Sequence, residues 1–226
     1  MSKIEESEVK LTEEIEAFRS KKSQLTLQLA GGAIFGALST IVAIILSPVI
    51  NSSRIQGWGI AMFDPTSWLW IACFLIFGAT AGLISCVTGS FGLLLIDPTG
   101  IGPAFKFAAT IPLIIVPYLV FNLNEKGVSN SQKLKDPKVY TVSGVLSLIV
   151  RIGAMIFLNL LFFATVWGIE AFDFVDLDVI GLGNIKGITA VLIFTPIINF
   201  YTGVLDLVVP YFLVYGSNLD EKFGLW

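Results

Sequence analysis

The run from Leu25 to Ile50 contains no charged side chain. At about 1.5 Å per residue it is long enough to cross a hydrocarbon core of about 30 Å. Such runs recur, and this recurrence constrains the fold more than any other feature. Ile60 to Ile96 is broken only by Asp64-Pro65, and further runs extend over Pro103–Leu123, Val139–Trp167 and Gly187–Tyr215. Only 14% of the 226 residues are charged, against about 25% in soluble domains, and 55% are hydrophobic. This composition argues against disorder, nucleic-acid binding and ordinary soluble enzyme chemistry, and a net charge of −3 supports no basic surface. Histidine is absent, which removes His-ligated metal sites and Ser-His or Cys-His catalysis. Cys73 and Cys86 lie in apolar stretches and read as buried free thiols rather than a disulfide scaffold.

Residues 1–23 form a polar, mixed-charge tail without the n-region, h-region and cleavage site of a signal peptide. Ile4, Leu11, Ile15 and Phe18 recur at near-heptad spacing, so the tail reads as an amphipathic helix or as a solvated one. Residues 24–216 form the membrane domain, and 217–226 a C-terminal tail.

Charge decides the number of passes. Lys3, Lys10, Arg19, Lys21 and Lys22 mark the N-terminal tail, and Lys126, Lys133, Lys135 and Lys138 mark the loop 124–138. Lys/Arg-rich short segments stay in the cytoplasm. Both segments lie inside only if an even number of passes separates them. The stretch 60–96 is therefore read as two short spans folded back near Gly78, which gives an all-α bundle of six transmembrane helices with both termini cytoplasmic. Gly32-x-x-x-Gly36, Ala33-x-x-x-Ala37, Gly78-x-x-x-Gly82 and Ser85-x-x-x-Gly89 are small-residue faces, for packing within the bundle or for docking a second membrane subunit.

Polar groups at membrane depth are costly and mark functional candidates. By residue rise, Asn159 lies about 12 Å and Asn199 about 18 Å below the outer ends of their spans. Thr195 shares a face with Asn199, and Thr110 with Lys106, each at i, i+4. Asp64, Trp58 and Trp68 stand at the outer mouth. The set suits a pocket for a small polar molecule, because amides and hydroxyls donate and accept and aromatic rings stack. The competing reading is hydrogen-bonded glue between helices with Trp anchoring at the interface. Arg151 and Asp206 lie about 17 Å and about 12 Å above the inner ends of their spans and are expected to pair, locking two helices together. The acidic loop 168–186, with Glu170, Asp173, Asp176 and Asp178, lacks the pattern of a calcium loop and reads as a solvated cap. There is no phosphate-binding Gly-rich loop and no carboxylate pair placed for acid/base work, so no catalytic residue, cofactor or metal is expected.

The segment Phe77-Gly78-Ala79-Thr80-Ala81-Gly82, the breaks Asp97-Pro98-Thr99-Gly100 and Gly102-Pro103, Ala33 with Ala37, and Thr195-Pro196-x-x-Asn199 resemble the substrate-binding S components of energy-coupling factor (ECF) transporters. The likeness covers roughly residues 25–215, and its last segment is similar to riboflavin-type members. It implies six helices and capture of a vitamin or related micronutrient, riboflavin first, at the outer face of the cell membrane. It also implies partners: a scaffold membrane subunit docked on Ala33 and Ala37, and two ATPase subunits that drive uptake. The alternatives from the residues alone are an independent six-helix channel or carrier, or a membrane scaffold.

Overall fold

The structure, a computed structural model, describes residues 3–55, 60–124, 133–168, 175, 177 and 181–223. Trp58 and the acidic residues Glu170, Asp173, Asp176 and Asp178 lie outside the described residues. Every long element is a helix. Four stretches, Lys21–Ile45, Ile101–Val120, Pro137–Val166 and Gly187–Tyr215, are long and apolar enough to cross a membrane.

Helix α1 (Lys3–Ile45) is 43 residues, about 64 Å, and runs unbroken from the mixed-charge tail into the first apolar run. The apolar run extends to Ile50, with Pro48 and Asn51-Ser52-Ser53 as its end signals. The helix stops instead at Ile45, and Pro48 stands in the first turn of a short helix, α2 (Ser47–Ser52). A first turn tolerates proline because its N–H groups have no intrahelical partner. The second apolar run begins at Ile60, but helix α3 (Thr66–Phe77) starts six residues later. Asp64-Pro65 causes the delay. The Asp64 Oδ1 accepts from the Thr66 N–H at 3.1 Å and the Thr66 hydroxyl at 2.6 Å, an Asx turn that opens α3. The residues before it pair with the chain after α2: the Ile55 N–H donates to the Ile60 carbonyl (2.9 Å) and the Met62 N–H to the Ser53 carbonyl (3.0 Å).

Helix α3 is apolar all round and occupies the centre of the bundle, with Trp70, Ile71, Phe74 and Leu75 fully buried. Helix α4 (Ala79–Leu93) folds back against it after one residue, Gly78, at φ 97° and ψ 174°. A positive φ of this kind favours glycine, which has no Cβ to clash. The return is close: a Cβ added at Gly82 would fall 2.7 Å from the Phe74 Cβ. Helix α1 packs along this hairpin through Gly32 and Gly36, where an added Cβ would meet the Ala81 carbonyl oxygen at 2.8 Å and the Thr88 Cβ at 2.6 Å. The Trp70 indole donates to Ser39 Oγ (2.7 Å), and the Gln28 amide donates to the Phe77 carbonyl (2.9 Å), so α1 and α3 run antiparallel. Ala33 and Ala37 point the other way and are exposed. Of the two small-residue faces on this helix, the glycine face is spent inside the bundle and the alanine face is open.

Helices α5 (Ile101–Asn124), α6 (Pro137–Phe162) and α7 (Gly187–Tyr215) complete the wall, with a π turn (Phe163–Trp167) ending α6. Two sets of contacts tie α6 to α7: Arg151 meets Asp206 and Asn199, and the Tyr140 hydroxyl donates to the Leu207 carbonyl (2.9 Å). A short helix, α8 (Leu219–Phe223), closes the Tyr140 end.

Candidate functional site

With 12 residues, α3 spans about 18 Å, far less than its long neighbours. The space beyond its N-terminus is enclosed by α5, α6, α7 and the ends of α1 and α4, and it forms a cavity of about 580 Å³. That is the size of a small-molecule site, about 300–1,000 Å³.

The floor is a charged network joining three helices. The Arg151 Nη1 donates to Asp206 Oδ2 at 2.7 Å, Nη2 donates to Thr202 Oγ1 at 2.9 Å, and Nε donates to Asn199 Oδ1 at 3.3 Å. The second Asp206 oxygen accepts from the Ser67 hydroxyl on α3 at 2.5 Å. The Arg151 and Asp206 side chains are 4% and 3% exposed, so each is satisfied by the other and by these hydrogen bonds rather than by bulk water. Helical periodicity builds the floor: α6 brings Arg151, Met155 and Asn159 to one face at i, i+4 and i+8, and α7 brings Asn199, Thr202 and Asp206.

The mouth carries a second pair. Lys106 Nζ lies 3.1 Å from Asp64 Oδ2 and donates to the Asp64 carbonyl at 3.0 Å. Asp64 sits in the loop before α3. Burial pushes its carboxyl pKa up, but the Lys106 charge and the Thr66 hydrogen bonds outweigh burial and hold it below its ordinary value. The wall is aromatic. Phe63 meets Trp68 edge-on at 5.6 Å, and Phe105 meets Phe162 at 5.4 Å, where the π turn widens the end of α6.

Of the residues read from the sequence as a pocket, Asp64, Trp68, Lys106, Asn159 and Asn199 line this cavity. Thr110 and Thr195 do not. Both are fully buried in helix packing, Thr110 donating to the Lys106 carbonyl at 2.9 Å and Thr195 with no partner for its hydroxyl among the described residues. Each lies one turn from its i, i+4 partner, so sharing a helix face does not guarantee sharing the cavity. Arg151 and Asp206, which the sequence reads as a lock between helices, are a 2.7 Å ion pair and also line the cavity. Sequence reasoning missed Thr202, Phe63, Phe105 and Phe162; the i+3 and i+4 spacing of Asn199, Thr202 and Asp206 carried a signal for the first of these. Among the described residues no three His, Cys, Asp or Glu side chains gather as a metal site. The arrangement can enclose a molecule, stack on it and hydrogen-bond it. No family model, curated protein or solved structure matches the chain.

Proposed function

We propose that the chain is the substrate-binding S component of an ECF-type importer, crossing the cell membrane six times with both termini in the cytoplasm. It captures a vitamin-like micronutrient, riboflavin first, at the outer face, and a scaffold subunit and two ATPase subunits drive its uptake. The observation that carries this reading is the 580 Å³ cavity between α3, α5, α6 and α7, walled by aromatic rings and floored by Arg151 and Asp206. Below that floor the bundle is filled by Trp70, Ile71, Phe74 and Leu75, which favours a binder over a conduit.

Two further features support it. The fold-back of α4 on α3 supports an even number of passes, with the basic tail and the Lys133–Lys138 segment on one side and the cavity at the opposite end. The exposed Ala33 and Ala37 leave a small-residue face where a second membrane helix approaches closely.

Native mass spectrometry of the detergent-purified protein, followed by organic extraction, is the test. A retained micronutrient, and a yellow fluorescent preparation for a flavin, is the expected outcome. Co-purification with an ATPase and a second membrane protein is the expected companion result. An empty protein that conducts ions in bilayers and captures neither partner would sink the proposal.

A further inference from the structure

We infer that Arg151 is a ligand-contacting residue, and that the cavity selects molecules presenting hydrogen-bond acceptors to its floor while rejecting cations. The inference rests on the binding role proposed above and concerns the same cavity.

Donor and acceptor bookkeeping around the cavity carries it. Three carboxylates line it: Asp64, Asp97 and Asp206. Each of their side-chain oxygens already has a donor. Asp206 is held by Ser67 and Arg151, and Asp64 by Thr66 and Lys106. Asp97 is held by Thr99 and by the Gly102 N–H at 3.0 Å. An entering cation therefore finds every carboxylate oxygen already bonded to a donor, and two of the three carboxylates paired with the cations Lys106 and Arg151.

The donors are not used up. A guanidinium has five N–H groups, and Asp206, Thr202 and Asn199 take three of those on Arg151, leaving one on each terminal nitrogen. An ammonium has three, and Asp64 takes two from Lys106 through its side chain and its carbonyl. The Asn159 and Asn199 amides each spend one N–H on their own helices, on the Met155 and Thr195 carbonyls, and each keeps one. Five N–H groups are thus unspent: two on Arg151 and one each on Lys106, Asn159 and Asn199. Arg151 stands on the α6 face two turns below Asn159, so a ligand that reaches the floor meets a fork of N–H groups already oriented by its Asp206, Thr202 and Asn199 partners. A carbonyl edge, a ring nitrogen or a carboxylate satisfies that fork, and an ammonium or a protonated ring does not.

The test uses three tricyclic probes of similar shape and different charge: riboflavin (neutral, carbonyl-edged), anthraquinone-2-carboxylate (anionic) and proflavine (cationic). Thermal melts and quenching of tryptophan fluorescence are read on the full chain in detergent. Riboflavin or the carboxylate should stabilise the protein, and proflavine should not; which of the two acts identifies a neutral or an anionic acceptor.

The second arm is the double variant Arg151→Gln with Asp206→Asn, which removes both charges and keeps side chains that can hydrogen-bond to Ser67, Thr202 and Asn199. A guanidinium bonded to the ligand predicts a loss of roughly ten- to a hundredfold in affinity in this variant. Arg151→Lys, which keeps the ion pair and loses the fork, should fall in the same direction, so the role remains testable if the double variant does not fold. Binding of proflavine equal to or tighter than the others, or unchanged affinity in the folded variants, overturns the inference and leaves the binding role standing. Stabilisation by none of the three probes overturns the inference, and extraction of a retained micronutrient from the purified protein decides the binding role separately.

Discussion

Arg151–Asp206 and Lys135–Asp220 are the same kind of contact in two different settings. The first joins α6 to α7 with side chains 4% and 3% exposed and an N–O distance of 2.7 Å. The second joins the segment before α6 to α8 at the far end of the bundle, at 3.2 Å, and its lysine is 37% exposed and shared with Glu221 at 2.8 Å. The difference is solvent. In the interior a charge deprived of its partner has nothing to replace it, whereas at the rim water and salt take over. The cavity end of the molecule therefore buries both partners at one point, whereas at the lysine end a solvent-exposed Lys135 divides its charge between the buried Asp220 and the exposed Glu221.

The largest expected effect follows from removing one half of the buried pair. Asp206→Ala leaves the Arg151 guanidinium without its counter-ion and Ser67 without its acceptor. A cost of about 3–5 kcal/mol is expected, enough to unfold a marginal membrane bundle, and thermal melts in detergent would read it. Exchanging the charges, Arg151→Asp with Asp206→Arg, should recover much of the loss because the pair survives on the same two helices. If the exchanged protein melts no higher than the single variant, the contact is not what holds α6 to α7.

Burial should likewise separate two adjacent small residues on α1. Gly36 is packed so closely against α4 that an added Cβ would fall 2.6 Å from Thr88 Cβ, while Ala37 is exposed. Gly36→Leu should cost about 1–3 kcal/mol of stability or more, as overpacking does. Ala37→Leu should change stability by no more than about 0.5 kcal/mol, yet block assembly with the proposed scaffold subunit. Equal melting temperatures for the two variants would mean that the α1–α4 contact is looser than its geometry, and assembly unimpaired by Ala37→Leu would remove that face from the proposal.

These examples also mark what the chain discloses before it is folded. The ends of α7 at Gly187 and Tyr215 were legible, because a polar segment meets a long apolar run there. The reversal at Gly78 was legible from the small residues around it together with the charge argument for an even number of passes. The start of α3 was not. Ile60–Phe63 is apolar, and four apolar residues serve a hairpin as readily as a helix, so composition cannot place the boundary before Thr66. The cavity was half legible. Periodicity sorts residues onto a face of one helix, but the neighbouring elements decide whether that face meets space or side chains. Lys106 and Thr110 share a face of α5; the first lines the cavity, and the second is closed in by packing one turn away. Likewise, the spacing that aligns Arg151 with Asn159 could not say that a 12-residue α3 would leave room beside them.

The smallest expected effect sharpens the comparison from the exposed side. Glu221 is 62% exposed, and its bond to Lys135 holds its carboxyl pKa below its ordinary value of 4.5. The hydrogen bonds that the Lys135 ammonium donates to Glu221 and Asp220 hold its pKa above its ordinary 10.5. A depressed acid contributes stability above its unfolded pKa and loses it as pH falls through the folded value. A raised base contributes below its unfolded pKa and loses it as pH rises through the folded value. The clasp is thus fully present between 4.5 and 10.5 and fades outside that window at both ends. Glu221→Gln should lower the melting temperature slightly across that plateau, and the difference from the wild type should vanish as pH drops below about 4. About 1 M salt, where screening acts within about 3 Å, should erase it as well. The Asp206→Ala deficit should largely persist at the same salt concentration, because a pair that is 4% and 3% exposed is screened much less than a surface pair. If high salt removed both deficits alike, the floor of the cavity would be wet, and the contrast between the two ends of the bundle would be one of position rather than of solvent.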